Sequence, residues 1–217
     1  MTDQMQRIAE WVRRGDATAV QETVKGTLAL GIPAEAILSH GLFAGMAVVG
    51  ELFKDEEIYI PEVIMAAKAM QAGVDVLEPF LAGEAQSGES GTVVLGTVKG
   101  DLHDLGKNLV AIMLRGAGFK VIDLGINVSA EAFVKAAIED RAQIVAMSGL
   151  LTTTIPYMKT VIEALRKAGL DGKVKTLIGG ACVTQGFADT IGADGYGENA
   201  AMAVKKAQDL IKQSEGS

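Results

Sequence analysis

Thr92-Val93-Val94-Leu95-Gly96-Thr97-Val98-Lys99-Gly100-Asp101-Leu102-His103-Asp104-Leu105-Gly106 is the stretch that decides the fold. Its first seven residues are an apolar, β-branched run, and apolar side chains then recur at helical spacing from Lys107 to Gly116. A buried strand therefore passes through a short loop into a helix, the first turn of an α/β sheet. Sheets of this kind bind ligands at the carboxyl ends of their strands, so the loop lies where chemistry is expected. It holds one of the two histidines in the chain, flanked by Asp101 and Asp104. An Asp two residues before a His can accept its ring N–H and leave the other nitrogen free for a metal. The spacing does not suit a phosphate loop. Five residues rather than four separate Gly100 and Gly106, Lys107 is followed by Asn108, and two aspartates would repel a phosphate. No G-x-G-x-x-G is present either, although Asp123 closes the next strand. Taken alone, the loop also reads as a surface histidine in a βα turn. Its surroundings decide.

Downstream, strand and helix patterns alternate. Strands are expected at Lys120–Leu124, Ile144–Ser148, Thr176–Ile178 and around Gly195-Tyr196, with the first at Thr92–Val98. Helices are expected near 106–116, 130–139, 155–168, 184–191 and 199–213. Strands that are apolar throughout are buried on both faces, which predicts a parallel, helix-covered sheet. Five strands suggest the flavodoxin-like order 2-1-3-4-5, with the switch point between strands 1 and 3. That order lines up three strand ends along one crevice. The first carries Asp101 and His103. The third carries Ser148-Gly149-Leu150-Leu151-Thr152, and the fourth carries Gly179-Gly180, where missing side chains let a ligand approach the backbone. Ser148 can simply cap a helix, and Gly179-Gly180 can simply turn. Their convergence on one crevice favours a site.

Upstream, the pattern is helical. Asp3–Arg14 and Asp16–Leu30 read as helices separated by Gly15. A third runs from Pro33 to about Phe53, and a fourth from Pro61 through Leu81. Short connections suggest a four-helix bundle, and Gly83 to Gly91 reads as a polar linker. The expected domains are 1–88, helical, and 89–217, a flavodoxin- or Rossmann-like α/β sheet. Hydrophobic content of 49% supports a proper core, and a lone cysteine, Cys182, excludes an intramolecular disulfide framework. A polar, mixed start without a signal peptide, and apolar runs broken by Gly or charge, lead us to expect a cytoplasmic protein with no membrane partner. Net charge is −7, and residues 1–90 carry 6 basic against 14 acidic side chains. Nucleic acid is not the expected partner of so acidic a front half.

These motifs resemble the cobalamin-binding modules of methyl-transfer proteins, among them methionine synthase and the small corrinoid proteins of anaerobic methyltransferase systems. That signature is Asp-x-His-x-x-Gly, then Ser-x-Leu, then Gly-Gly. Here it stands as Asp101-Leu102-His103-Asp104-Leu105-Gly106, Ser148-Gly149-Leu150 and Gly179-Gly180. The resemblance extends upstream through Val48-Val49-Gly50-Glu51-Leu52-Phe53 and Ile60-Pro61-Glu62-Val63. There a Phe and an aliphatic residue seven positions later cover the upper face of the corrin, which here implies Phe53 and Ile60. The usual Gly-Lys between them is replaced by Asp55-Glu56-Glu57.

The resemblance implies that His103 binds cobalt from below, that Asp101 holds its other nitrogen, and that Ser148 completes a relay. It also implies a channel for the displaced nucleotide tail beside Gly106, Ser148 to Thr152 and Gly179-Gly180. The cofactor would be cobalamin or a related corrinoid, alternating between cob(I)alamin and methylcob(III)alamin. The implied function is a methyl carrier with no reaction of its own. It would be loaded by a substrate:corrinoid methyltransferase, unloaded by a corrinoid:tetrahydrofolate or corrinoid:thiol methyltransferase, and restored by a reductive activase. A second reading is an adenosylcobalamin-binding sensor, whose cap carries Trp and His. Trp11 lies far from the cap motif here, and His40 lacks that setting. A mutase subunit is a third.

Overall fold

The computed structural model describes residues 2–80 and 90–215. The chain divides into two compact units, Met1–Glu89 with Arg115–Gly118, and Ser90–Leu114 with Phe119–Ser217. The expected boundary between residues 88 and 89, and all of the expected linker but Ser90 and Gly91, lie outside the described residues.

In the helical unit, α1 (Thr2–Arg14) and α2 (Ala17–Ala29) are separated by Gly15, whose φ of +72° makes the turn. Asp16 caps α2 by accepting the Ala19 N–H at 3.0 Å. The third expected helix is one continuous rod with an irregularity. It comprises α3 (Ala34–Ile37), a π-helical turn (Leu38–Phe43) and α4 (Ala44–Lys54). The fourth, α5 (Ile60–Leu77), ends earlier than expected in a 3₁₀ turn over Glu78–Phe80, and Leu81 lies outside the described residues. Ile8 and Val12, Val20 and Val24, Ile37 to Val49, and Val63 to Leu77 each supply buried side chains to this unit. Ala34–Lys54 is long and apolar enough to cross a membrane, but Ile37, Leu42, Met46 and Val49 spend that apolarity on the bundle core. Glycines let the rods close. A Cβ at Gly45 would stand 2.7 Å from the Ala9 carbonyl oxygen, and one at Gly73 2.7 Å from a Leu42 methyl.

The acidic turn between α4 and α5 has a defined geometry. The Glu57 N–H bonds to Leu52 O at 2.9 Å and the Glu56 N–H to Phe53 O at 3.2 Å. These are the two bonds of a Schellman motif, and Glu56 takes the left-handed position, φ +61°, that glycine usually fills. Glu62 then accepts the Tyr59 N–H at 3.1 Å and starts α5, the reciprocal half of a capping box.

The second unit alternates β1 (Thr92–Thr97), α6 (Leu105–Gly116), β2 (Lys120–Asp123), α7 (Ala130–Glu139), β3 (Ile144–Ser148), α8 (Tyr157–Lys167), β4 (Lys175–Gly179), α9 (Gln185–Ile191), β5 (Gly195–Gly197) and α10 (Ala200–Glu215). All neighbouring strands are parallel, in the order β2-β1-β3-β4-β5. The expected switch point between β1 and β3 is therefore present. On one sheet face, Val94, Val145, Met147 and Ile178 pack with Phe133, Met158 and Ile162 into the main core. A Cβ at Gly96 would reach 2.9 Å from the Phe133 ring, so that glycine admits the ring to the sheet. The other face carries Leu95, Ala146 and Leu177 in one register row, and Thr97, Ser148, Gly179 and Gly197 in the row two residues further on. The eighth helix starts at Tyr157 rather than 155, because Leu151 to Thr154 form turns and Pro156 supplies the N-cap.

Candidate functional site

Asp101 has no exposed surface, and five donors converge on its two oxygens. Oδ1 accepts from the His103 backbone N–H at 3.0 Å and stands 2.7 Å from His103 Nδ1. Oδ2 accepts from the Leu150 N–H at 2.7 Å, the Leu151 N–H at 3.3 Å and the Thr154 hydroxyl at 2.8 Å. Burial alone would oppose the charge, but the bonds from Leu150, His103 and Thr154 outweigh it and hold the carboxyl well below the usual carboxylate range. An ionised Asp101 only accepts, so the proton it faces must sit on His103 Nδ1. The lone pair then lies on Nε2, on a side chain that is 52% exposed. The pair is a rigid mount for a single nitrogen ligand.

The loop that carries this pair is pinned from three sides. Thr97, fully buried at the end of β1, donates its hydroxyl to His103 O at 2.9 Å. Asn127 accepts the Gly100 N–H through Oδ1 at 2.8 Å and donates its own N–H to Asp101 O at 3.0 Å. Gly100 takes φ +85° here, a turn that a side chain would strain. Below the loop, the buried Lys107 ammonium bonds both oxygens of Asp123, at 2.7 and 2.6 Å, and Asn108 Oδ1 at 2.7 Å. Asn108 in turn donates to Asp104 Oδ2 at 3.1 Å. Asp123, which the dinucleotide reading would reserve for a ribose, is thus occupied by a lysine.

A cavity of about 610 Å³ opens beside His103, entirely within the sheet unit. Its walls include Leu102 to Lys107, Ser148 to Leu150, Gly179 to Ala181, and Gly197 to Ala200. Backbone lies bare where strands end. A Cβ at Gly179 would stand 2.9 Å from Gly197 O, and one at Gly180, φ +134°, would run into the Gly149 carbonyl. A Cβ at Gly106 would meet nothing within 4 Å. Leu102 and Leu105 line the mouth at 66% and 65% exposure, a loss of apolar burial that a bound group would recover. Among the described residues, no three His, Cys, Asp or Glu side chains gather to hold a metal ion. One axial nitrogen beside a small-residue channel suits a metal already held by its own macrocycle, so the residues fit the corrinoid that the resemblance implies.

Of the expected site residues, Leu102 to Gly106, Ser148, Leu150, Gly179 and Gly180 line this cavity, and Asp101 stands behind His103. Thr152 is exposed in the turn after β3 and is not among the lining residues. Phe53 and Ile60 belong to the helical unit, half-buried at the end of α4 and the start of α5. The relay differs from expectation: the hydroxyl on Asp101 is that of Thr154, six residues after Ser148. The turn at Leu150 and Leu151 brings Thr154 back under the carboxylate, whereas Ser148 faces the cavity. Thr154, Asn127 and the Lys107–Asp123 pair escaped the sequence reading. Lys107 and Asp123 each figure there, one against a phosphate loop and one at the end of the next strand, but not as a pair.

Comparison with known proteins identifies relatives of the whole chain. Residues 91–205 match a family model described as a B12 binding domain, and residues 4–78 match a second model of the same description. The chain is 46% identical over 198 residues to trimethylamine corrinoid protein 2 of Methanosarcina acetivorans, covering 91% of both chains. It is 47% identical over 193 residues to dimethylamine corrinoid protein 1 of the same organism, covering 89% of each. Among solved structures, a chain of the methanol:cobalamin methyltransferase complex MtaBC from Methanosarcina barkeri matches 97% of this chain and 80% of its own length, at 32% identity and a TM-score of 0.87.

Proposed function

Because this chain belongs to the corrinoid proteins of the B12-binding family, we propose that it carries a methyl group from a substrate:corrinoid methyltransferase to a second methyltransferase. The acceptor at that second partner is tetrahydrofolate or a thiol, and a reductive activase restores the carrier after oxidation. The names of its relatives point to methylated amines or methanol as donors, with the first partner selecting among them. The site of action is the cytoplasm. Bound cobalt supplies the chemistry, accepting a methyl group in its reduced state and yielding it to a nucleophile.

The chain's own residues do the rest. Asp101 keeps the Nδ1 proton in place and so leaves the Nε2 lone pair of His103 free, the atom that would hold the cobalt of a bound corrinoid. Thr154 and the Leu150 N–H hold Asp101 itself, so the imidazole would keep its orientation whether or not a metal is bound to it. Gly106 leaves open space at the wall of the cavity that would take the nucleotide tail, while Gly179 and Gly180 let the backbones that line it pack closely against Gly197 and Gly149. Phe53 and Ile60, half-buried in the helical unit, would shield the bound cofactor, as the resemblance implies.

One observation carries this reading: a fully buried carboxylate with five donors orients a half-exposed histidine at the edge of a glycine-floored cavity. The test is the visible spectrum of the Co(III) form. His103→Ala is expected to retain the corrinoid with its lower axial nitrogen lost; an unchanged spectrum would rule out His103 as the ligand.

A further inference from the structure

We propose that Lys107 is a positioning residue for His103, closing a ring of hydrogen bonds that fixes the peptide between His103 and Asp104. The inference rests on the corrinoid reading above and adds to it a residue that sets how firmly the axial nitrogen is held. Lys107 is 3% exposed, and the ligation of cobalt by His103 does not use its charge. All three of its N–H donors are taken, two by the Asp123 oxygens at 2.7 and 2.6 Å and one by Asn108 Oδ1 at 2.7 Å. From there the bonds run both ways to the same peptide. On one side, the Asn108 amide donates to Asp104 Oδ2 at 3.1 Å. On the other, Asp123 Oδ1 accepts the Gly125 N–H at 2.9 Å, and Gly125 O accepts the Thr97 N–H at 2.9 Å. The Thr97 hydroxyl then donates to His103 O at 2.9 Å.

A buried ion pair is weak ground for stability, because apolar side chains of similar size often do as well in its place. What apolar side chains could not do is tie three elements together by direction. The Lys107 ammonium joins the first turn of α6 to the end of β2, and the ring reaches the end of β1 through Thr97. His103 stands in the loop between β1 and α6. Asp101 grips the imidazole at Nδ1 and is itself held from the β3 side, by Leu150, Leu151 and Thr154. The Lys107 ring holds the same loop from the β2 side. With both grips in place the imidazole has little room to tilt, which is what a single axial bond requires of its ligand.

Lys107→Met combined with Asp123→Asn removes both charges, keeps both shapes and leaves an oxygen for the Gly125 N–H. The ring then opens without stranding a buried charge. Parent and variant, as full chains carrying nitrogen-15 histidine, are loaded with cobalamin and reduced to Co(II). In electron paramagnetic resonance, ligation by His103 splits the lines into doublets, whereas the cofactor's own base gives triplets. Doublets are expected in the parent; their absence overturns ligation by His103 and this inference with it. In a folded variant that retains cobalamin, the ratio of His-ligated to other cobalt is expected to fall about tenfold, the low end of the cost of removing a partner behind a metal ligand. An unchanged ratio, or loss of the cofactor with the fold intact, overturns this inference and leaves the ligation standing. If the double variant does not fold, Asn108→Ala decides, since it leaves the ion pair in place and opens the ring at a neutral side chain. Its expected effect is a fall of about threefold. A folded Asn108→Ala variant with the parent's ratio overturns the inference.

Discussion

Asp101→Asn keeps the shape of the side chain and tests the mount directly. An amide replaces one accepting oxygen with an NH2 group, and both oxygens of Asp101 face backbone N–H donors. If the NH2 turns toward Leu150 and Thr154, the bonds at 2.7 and 2.8 Å are lost. If it turns toward His103, the backbone N–H loses its acceptor and Nδ1 must accept, which moves the ring proton to Nε2 and removes the lone pair needed for cobalt. Either way, two hydrogen bonds to a charged acceptor disappear at a fully buried position. At about 1.5–3 kcal/mol each, with partial relaxation, the expected loss is about 3–5 kcal/mol. For a chain of this size that lowers the melting temperature by on the order of 10 °C. Thermal melts of the apo protein, followed by circular dichroism, measure it. The pH dependence has a definite sign. A carboxyl whose folded pKa is depressed contributes stability that is complete above its unfolded value, about 3.9, and is lost as pH falls toward the folded one. Asn does not titrate, so the gap between parent and variant should be constant from pH 8 to 5 and close below about pH 4. A variant melting within about 2 °C of the parent, or a gap that widens in acid, would refute the account of five donors on one carboxylate.

Three further outcomes follow from the geometry. Gly180→Ala forces a Cβ into the Gly149 carbonyl at a φ of +134° and should cost more than about 3 kcal/mol in denaturant unfolding, with loss of corrinoid retention. Glu56→Gly relieves a left-handed residue in the Schellman turn and should raise stability by about 0.5–1 kcal/mol, read as a higher denaturation midpoint. Phe53→Ala with Ile60→Ala removes half-buried side chains, so folding should lose less than about 2 kcal/mol per residue while the bound cofactor reacts faster with light or small reagents; unchanged reactivity would remove both residues from the corrin face.

Elements governed by local pattern were legible. The β-branched run at Thr92 and the Gly-and-Pro punctuation around α2 and α3 follow from signals within a few residues of where they act, and the strand order from the alternation of five strands with helices. The Asp101–His103 pair was legible for the same reason, since its members are two residues apart. What escaped depends on tertiary contact. Thr154 is 53 residues from Asp101, and only the register of β3 against β1 and the turn after Ser148 decide which hydroxyl reaches the carboxylate. Ser148 was the nearer candidate along the chain but faces the cavity. Lys107 and Asp123 meet through the packing of α6 beside β2, which no spacing rule announces.

The π-helical turn at Leu38–Phe43 has a consequence for the whole rod that contains it. An α-helix advances about 100° per residue, so the wider turn sets α4 out of phase with α3 by that amount. Beyond that turn, Gly45 faces Ala9, and Met46 and Val49 lie in the core. Deleting one residue from the turn would restore regular hydrogen bonding and swing Gly45, Met46 and Val49 together off the core. Helix content by circular dichroism would hold or rise while the bundle lost its fit, so local order and global stability would move in opposite directions. The irregular turn therefore works as a gear tooth: one extra residue that sets the rotation of the eleven that follow.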